Sequence, residues 1–108
     1  MKEFVFNKND YSTYKDMYID MAHKMGCDKS EDYYDTKTFD FDPNILWEYL
    51  LCEFAYSKVD IKIKLVNFDI EDIKKQRTYE NYELNLILEV FTDFVKSYPN
   101  NSLEFKNE

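Results

Sequence analysis

Acidic and aromatic side chains are interleaved along residues 28–53, and their types favour binding over catalysis. The segment carries −6 of the chain's formal charge of −8, because its only basic residues are Lys29 and Lys37. Its eight acidic residues are Asp28, Glu31, Asp32, Asp35, Asp40, Asp42, Glu48 and Glu53, and Tyr33, Tyr34, Phe39 and Phe41 lie among them. Carboxylates steer and pair with basic partners, and aromatic rings are common interface anchors. The pattern predicts a surface for a strongly basic protein; the alternative is a solvated loop with its rings folded onto the core.

Other residue combinations give weaker chemical signals. His23, Cys27 and Asp28 supply three neighbouring ligands, whereas a structural zinc site takes four. Asp40 and Asp42 resemble a glycosidase acid pair, but loop carboxylates before a helix are more often solvated or capping. The chain has one histidine, no glycine-rich phosphate loop and no Ser/His/Asp arrangement. We therefore predict no enzymatic activity, no metal and no cofactor, and we expect free thiols, as in a reducing compartment.

A predicted helix over residues 42–54 follows the acidic loop, and its side chains are apolar on two faces. Asp42 is a favoured N-cap and Pro43 is tolerated at the first helical position. One apolar stripe contains Leu46, Trp47, Leu50, Leu51 and Phe54, and the opposite face has Ile45, Glu48, Tyr49 and Cys52. Enclosing that second face would bury Glu48 at a cost of several kcal/mol unless the carboxylate were paired. We therefore expect this face to be exposed until a partner covers it.

The elements that position these residues follow the order β-α-α-β-α-α-β. Hydrophobic periodicity predicts strands over residues 3–6, 59–65 and 102–106 and helices over residues 14–25, 42–54, 69–76 and 79–98. We expect Asp10 or Ser12 to cap the first helix, Gly26 to end it, and Leu103 and Phe105 to be buried. Strands separated by helices are normally parallel, and each strand keeps a polar side. The fold class is therefore α/β, a three-stranded parallel sheet with about four helices mainly on one face.

Length and composition limit the function classes. A chain of 108 residues that is 44% hydrophobic fits one globular domain over residues 1–108. A formal charge of −8 argues against nucleic-acid binding, because polyanions repel an acidic chain. Apolar runs are too short to span a bilayer, and the first residues are unlike a signal peptide. We predict a cytoplasmic protein that contacts neither nucleic acid, membrane nor small-molecule substrate.

Two segments resemble the barstar family of intracellular ribonuclease inhibitors. Asn44-Ile45-Leu46-Trp47-Glu48-Tyr49-Leu50 is similar to that family's Asp-x-Leu-Trp-Asp-x-Leu on its inhibitory second helix. Leu88-Glu89-Val90-Phe91-Thr92-Asp93 is similar to a segment of its fourth helix. The element order also matches over nearly the whole chain. The resemblance implies a three-stranded parallel sheet and an inhibitory surface made by the second helix and the loop before it.

The resemblance also implies roles for individual residues. Glu48 corresponds to the carboxylate that enters the ribonuclease's phosphate site, and Asn44 replaces an acid one turn earlier. Trp47 matches a tryptophan at the interface edge, and Asp93 matches an accessory acid on the last helix. The family's Tyr-Tyr-Gly-x-Asn-Leu lead-in is not reproduced. Tyr33-Tyr34-Asp35 aligns with it only across inserted residues, Thr38-Phe39-Asp40 is the ungapped counterpart, and neither alignment has the glycine.

We therefore predict an immunity protein that occludes the basic active-site cleft of a cognate nuclease toxin as a 1:1 heterodimer. The predicted partner-binding residues are Tyr33, Tyr34, Asp35, Phe39, Asp40, Asp42, Asn44, Ile45, Trp47, Glu48, Tyr49, Cys52 and Asp93. An acidic nucleic-acid mimic or adaptor for another basic protein would use the same surface. A homodimer through the face of Ile45 and Tyr49 also stays open, although its two copies of Glu48 would repel each other.

Overall fold

The computed structural model describes residues 1–26, 43–75 and 79–108, and over these residues the chain is mixed α/β. Within these ranges it has a three-stranded parallel sheet and four α-helices, in the predicted order. The elements are β1 (Lys2–Asn7), α1 (Tyr14–Met25), α2 (Pro43–Tyr49), β2 (Ile61–Val66), α3 (Ile70–Lys75), α4 (Tyr79–Ser97) and β3 (Ser102–Lys106). A short 3₁₀ turn (Lys8–Asp10) follows β1, and a π-helical segment (Leu50–Ala55) continues α2.

The sheet has the strand order β1-β2-β3, so β2 is central. The register places Phe4 beside Ile63 and Ile63 beside Leu103 on the side that packs against the helices. The other side is polar, and two ion pairs link neighbouring strands there: Lys64–Glu3 at 3.1 Å and Lys62–Glu104 at 3.0 Å. This alternation of apolar and polar sides is the one that the sequence predicts.

One apolar cluster joins the helices to the sheet. Its largest fully buried side chains are Phe6, Met17, Met21, Met25, Leu46, Leu50, Ile61, Ile63, Leu65, Ile73, Phe91 and Phe94. The cluster receives side chains from α1, α2, α3, α4 and all three strands. Leu46 therefore anchors α2 in this core, and Leu50 anchors its continuation. Helix α4 packs against the same core.

Helix α1 begins and ends at residues that satisfy its terminal backbone groups. The hydroxyl of Thr13 accepts a hydrogen bond from the amide of Asp16 at 3.2 Å, so Thr13 is the N-cap and the predicted Asp10 or Ser12 is wrong. Thr13 lies three residues before Asp16 in the sequence, which is the usual spacing between an N-cap side chain and the backbone amide that it caps. Gly26 ends the helix at φ 83°, a left-handed conformation that glycine adopts without strain, as predicted.

Two predicted features of the sheet need correction. Strand β2 begins at Ile61, and Val59 lies before it, 39% exposed, because the chain turns at Lys58 with a positive φ. Phe105 was expected in the core with Leu103, yet it is 48% exposed. Phe105 and Phe6 flank Leu65 on the two edge strands of the described sheet, but only Phe6 is covered by the apolar cluster.

Candidate functional site

Three exposed side chains follow one another along the outer side of α2 and its continuation. Asn44, Glu48 and Cys52 are each exposed and each four residues apart. Residues at this spacing lie above one another on an α-helix, which applies to Asn44 and Glu48, whereas Cys52 lies in the wider turns of the π-helical continuation. Glu48 is therefore the central charge on an outward-facing ridge, and it is not enclosed within the described part of the molecule.

Two aromatic side chains flank Glu48 on this ridge. Trp47 and Tyr49 are half-buried and pack against the apolar cluster. The Trp47 ring meets Phe94 of α4 edge-to-face, with 6.2 Å between ring centroids and an angle of 84° between the ring planes. This arrangement is favourable for aromatic pairs and holds the indole in place. Each ring thus presents one part to solvent while the rest is fixed by the core.

A groove of about 420 Å³ separates α2 from α4. Its lining consists of Asn44, Trp47, Val90, Asp93, Lys96 and Ser97. Three residues predicted from different parts of the sequence, Asn44, Trp47 and Asp93, are therefore brought to one site. Lys96 and Ser97 were not predicted as site residues. The i, i+3 spacing of Asp93 and Lys96 on a helix is the signal by which Lys96 could have been found.

The π-helical segment alters the end of the predicted 42–54 helix. The amide of Tyr56 donates to the carbonyl of Leu51 and the amide of Val59 to that of Phe54, both at 2.8 Å and both five residues apart. These wider turns change the rotation per residue, so Phe54 stays buried while Leu51, predicted in the same stripe, is only half-buried. Cys52, a free thiol, is left exposed beside the ridge.

Several predicted binding residues lie outside the described residues. These are Tyr33, Tyr34, Asp35, Phe39, Asp40 and Asp42; Ile45 lies in α2, but its side chain is also outside the described part. The described site therefore consists of the α2 ridge and the α2–α4 groove. We call these two features together the α2–α4 surface: Asn44, Trp47, Glu48, Tyr49, Cys52, Asp93 and Lys96.

Over residues 1–26, 43–75 and 79–108, no group of three or more His, Cys, Asp and Glu side chains is placed to hold a metal ion. Of the three candidate metal ligands His23, Cys27 and Asp28, only His23 falls within these ranges. Within the described helices, none is long and apolar enough to cross a bilayer.

Comparison of the chain with protein-family models, with curated proteins and with solved structures found no significant match.

Proposed function

We propose that the chain is a cytoplasmic inhibitor that binds the basic active-site cleft of a nuclease and blocks it as a 1:1 complex. The observation that carries the proposal is the environment of Glu48. This carboxylate is exposed at the centre of the α2 ridge, between two half-buried aromatic rings. An exposed acid with apolar flanks suits a site that becomes dry only when a partner covers it.

The charge and shape of the ridge suit a cationic cleft. Nucleases recognise phosphate with Arg and Lys side chains, and the carboxylate of Glu48 is an anion that such side chains can hold by charge-assisted hydrogen bonds. The chain's formal charge of −8 would accelerate its encounter with a basic protein. Trp47 and Tyr49 would then exclude water around the central ion pair.

The same surface supports a relationship to the barstar family of ribonuclease inhibitors. The described element order and the parallel sheet agree with what the resemblance implies. The residues that match the family's inhibitory positions, Asn44, Trp47, Glu48 and Asp93, all fall on the α2–α4 surface. On this proposal the chain is an immunity protein that protects its producing cell from a nuclease toxin.

The test is co-purification with the product of the adjacent gene, followed by RNA- and DNA-cleavage assays with increasing amounts of inhibitor. We expect cleavage to stop at one inhibitor per nuclease, and association to slow as salt is added. The decisive variant is Glu48→Ala, matched with Glu104→Ala on the polar side of the sheet. A central buried charge pair contributes at least about 2 kcal/mol, so Glu48→Ala should raise Kd about thirtyfold or more.

The control variant and two contrary outcomes complete the test. Glu104→Ala should change Kd less than about twofold, since an acid outside the interface contributes little. Small and equal effects of the two substitutions would reject the α2–α4 surface as the binding site. A stable complex with a basic protein that cleaves neither RNA nor DNA would replace inhibition by the adaptor function.

A further inference from the structure

Helix α4 places two opposite charges in the α2–α4 groove. Asp93 and Lys96 both line it, and both side chains are exposed. Residues three apart on a helix are neighbours, with about 5–6 Å between their Cβ atoms. Neither residue takes part in a salt bridge within the part of the chain that the structure describes. The groove therefore offers a carboxylate and, one turn further along, an ammonium group, neither of which is held in an ion pair among the described residues.

Apolar side chains line the groove beside these two charges. The Trp47 indole and the Val90 side chain, both half-buried, contribute to the lining. An indole face attracts cations, particularly planar guanidinium groups. A guanidinium that lies against Trp47 and pairs with Asp93 would bring whatever is attached to it within reach of Lys96.

Lys96 then decides which cations the groove accepts. A lone cation is attracted by Asp93 but repelled by the neighbouring ammonium group. A cation accompanied by an acid, at a separation similar to that of Asp93 and Lys96, satisfies both charges. Like charges brought together at an interface discriminate against wrong partners as effectively as attraction selects right ones.

We propose that Lys96 is a specificity determinant, which selects a partner whose groove-binding cation is accompanied by an acidic group. The inference rests on the proposed function in treating the groove as part of the partner surface. It adds that the partner contacts the groove with a basic group and an acidic group together. The net charge of the chain, by contrast, favours a basic protein as the partner.

Two arginine derivatives test the inference without the nuclease. N-acetyl-L-arginine carries a guanidinium and a carboxylate and is neutral overall, whereas N-acetyl-L-argininamide carries the guanidinium alone and has a charge of +1. The chain has one tryptophan, so its fluorescence reports binding at Trp47 directly. Attraction to the net charge of −8 alone favours the amide. The inference predicts the opposite order, because only the acid satisfies Lys96.

The expected preference follows from the energy of an exposed ion pair. Such pairs contribute about 0.2–1 kcal/mol, so the acid should bind about 1.4- to fivefold more tightly than the amide. Lys96→Gln should remove the advantage of the acid and leave the amide bound at least as tightly, and Lys96→Glu should favour the amide further. Lys15→Gln, which removes a lysine from the exposed face of α1, is the matched control and should preserve the preference. Asp93→Asn should weaken the binding of both ligands.

The outcomes separate this inference from the proposed function. Tighter binding of the amide to the unaltered protein, or a preference that survives in Lys96→Gln, would overturn the role of Lys96. Failure of both ligands to change the Trp47 fluorescence in a saturating titration would overturn the groove as a cation site. Both results are obtained without the nuclease. Inhibition through Glu48 is tested separately, by the cleavage assay.

Discussion

Asn101 links two distant parts of the fold, and replacing it tests the packing that supports the site. It is 8% exposed, and its side-chain oxygen accepts a hydrogen bond from the amide of Ile61 at 2.7 Å. Its side-chain nitrogen donates to the carbonyl of Tyr98 at 2.9 Å. The residue therefore joins the first residue of the central strand to the turn between α4 and β3, across 40 positions of sequence.

Asn101→Ala should reduce the free energy of unfolding by about 2–4 kcal/mol. Leaving the buried Ile61 amide without an acceptor costs about 1–3 kcal/mol, and losing the second hydrogen bond costs about 0.5–1.5 kcal/mol. A domain of this size loses about 4–8 °C in Tm for each kcal/mol, so the midpoint should fall by roughly 8–32 °C. Urea denaturation measured by circular dichroism gives the free energy, and thermal unfolding gives Tm.

The adjacent asparagine supplies the control. Asn100 is exposed, and Asn100→Ala should change the stability by no more than about 0.5 kcal/mol. If the two alanine variants unfold at the same urea concentration, the assignment of the Asn101 hydrogen bonds as a major support of the fold is wrong.

Three further predictions concern α1 and the residues around it. Thr13→Ala should lower the free energy of unfolding by about 1 kcal/mol, measured by urea denaturation, whereas Ser12→Ala should leave it almost unchanged. Burial, followed by the hydrogen bond to Asp20, raises the pKa of Tyr11 well above its ordinary 10.0. Stability should therefore fall as pH rises above about 10, and an alkaline spectrophotometric titration should lose its latest-ionising tyrosine in Tyr11→Phe. Burial raises the pKa of Asp20, but hydrogen bonds from Lys24 and Tyr11 outweigh it and hold that pKa below 3.8. The destabilisation caused by Asp20→Asn should consequently be present at neutral pH and shrink as pH falls below about 4, and an undiminished effect at acid pH would contradict it.

The parts of the fold that follow local chemistry were predictable. Strand β2 shows its alternation directly in sequence, because Ile61, Ile63 and Leu65 face the helices while the lysines between them stay on the polar side. Gly26 and Pro43 mark helix ends through backbone preferences that need no tertiary contact. The confirmed topology then follows from strands separated by whole helices.

The parts that depend on distant contacts were not predictable. Asn101 is buried where its side chain meets the amide of Ile61, 40 residues away in sequence, and nothing in its neighbouring sequence indicates this contact. The π-helical hydrogen bonds after Tyr49 likewise have no local signal, because the apolar spacing of residues 42–54 predicts a regular α-helix. Lys96 joins the candidate site only because the packing of α2 on α4 opens a groove beside it.

The two faces of α2 bear on the proposed role of its surface in recognition. Leu46 and Leu50 are fully buried, so the backbone beneath Glu48 is fixed before any partner arrives. Trp47 and Tyr49 are half-buried, and their packing has already restricted the rotamers that an interface would otherwise have to order. Ordering a side chain on binding costs about 0.5–1.5 kcal/mol, and these two rings have lost part of that freedom on folding. A partner that covers Glu48 would therefore gain the apolar contact of both rings at a reduced entropic cost, which favours tight binding to a small ridge.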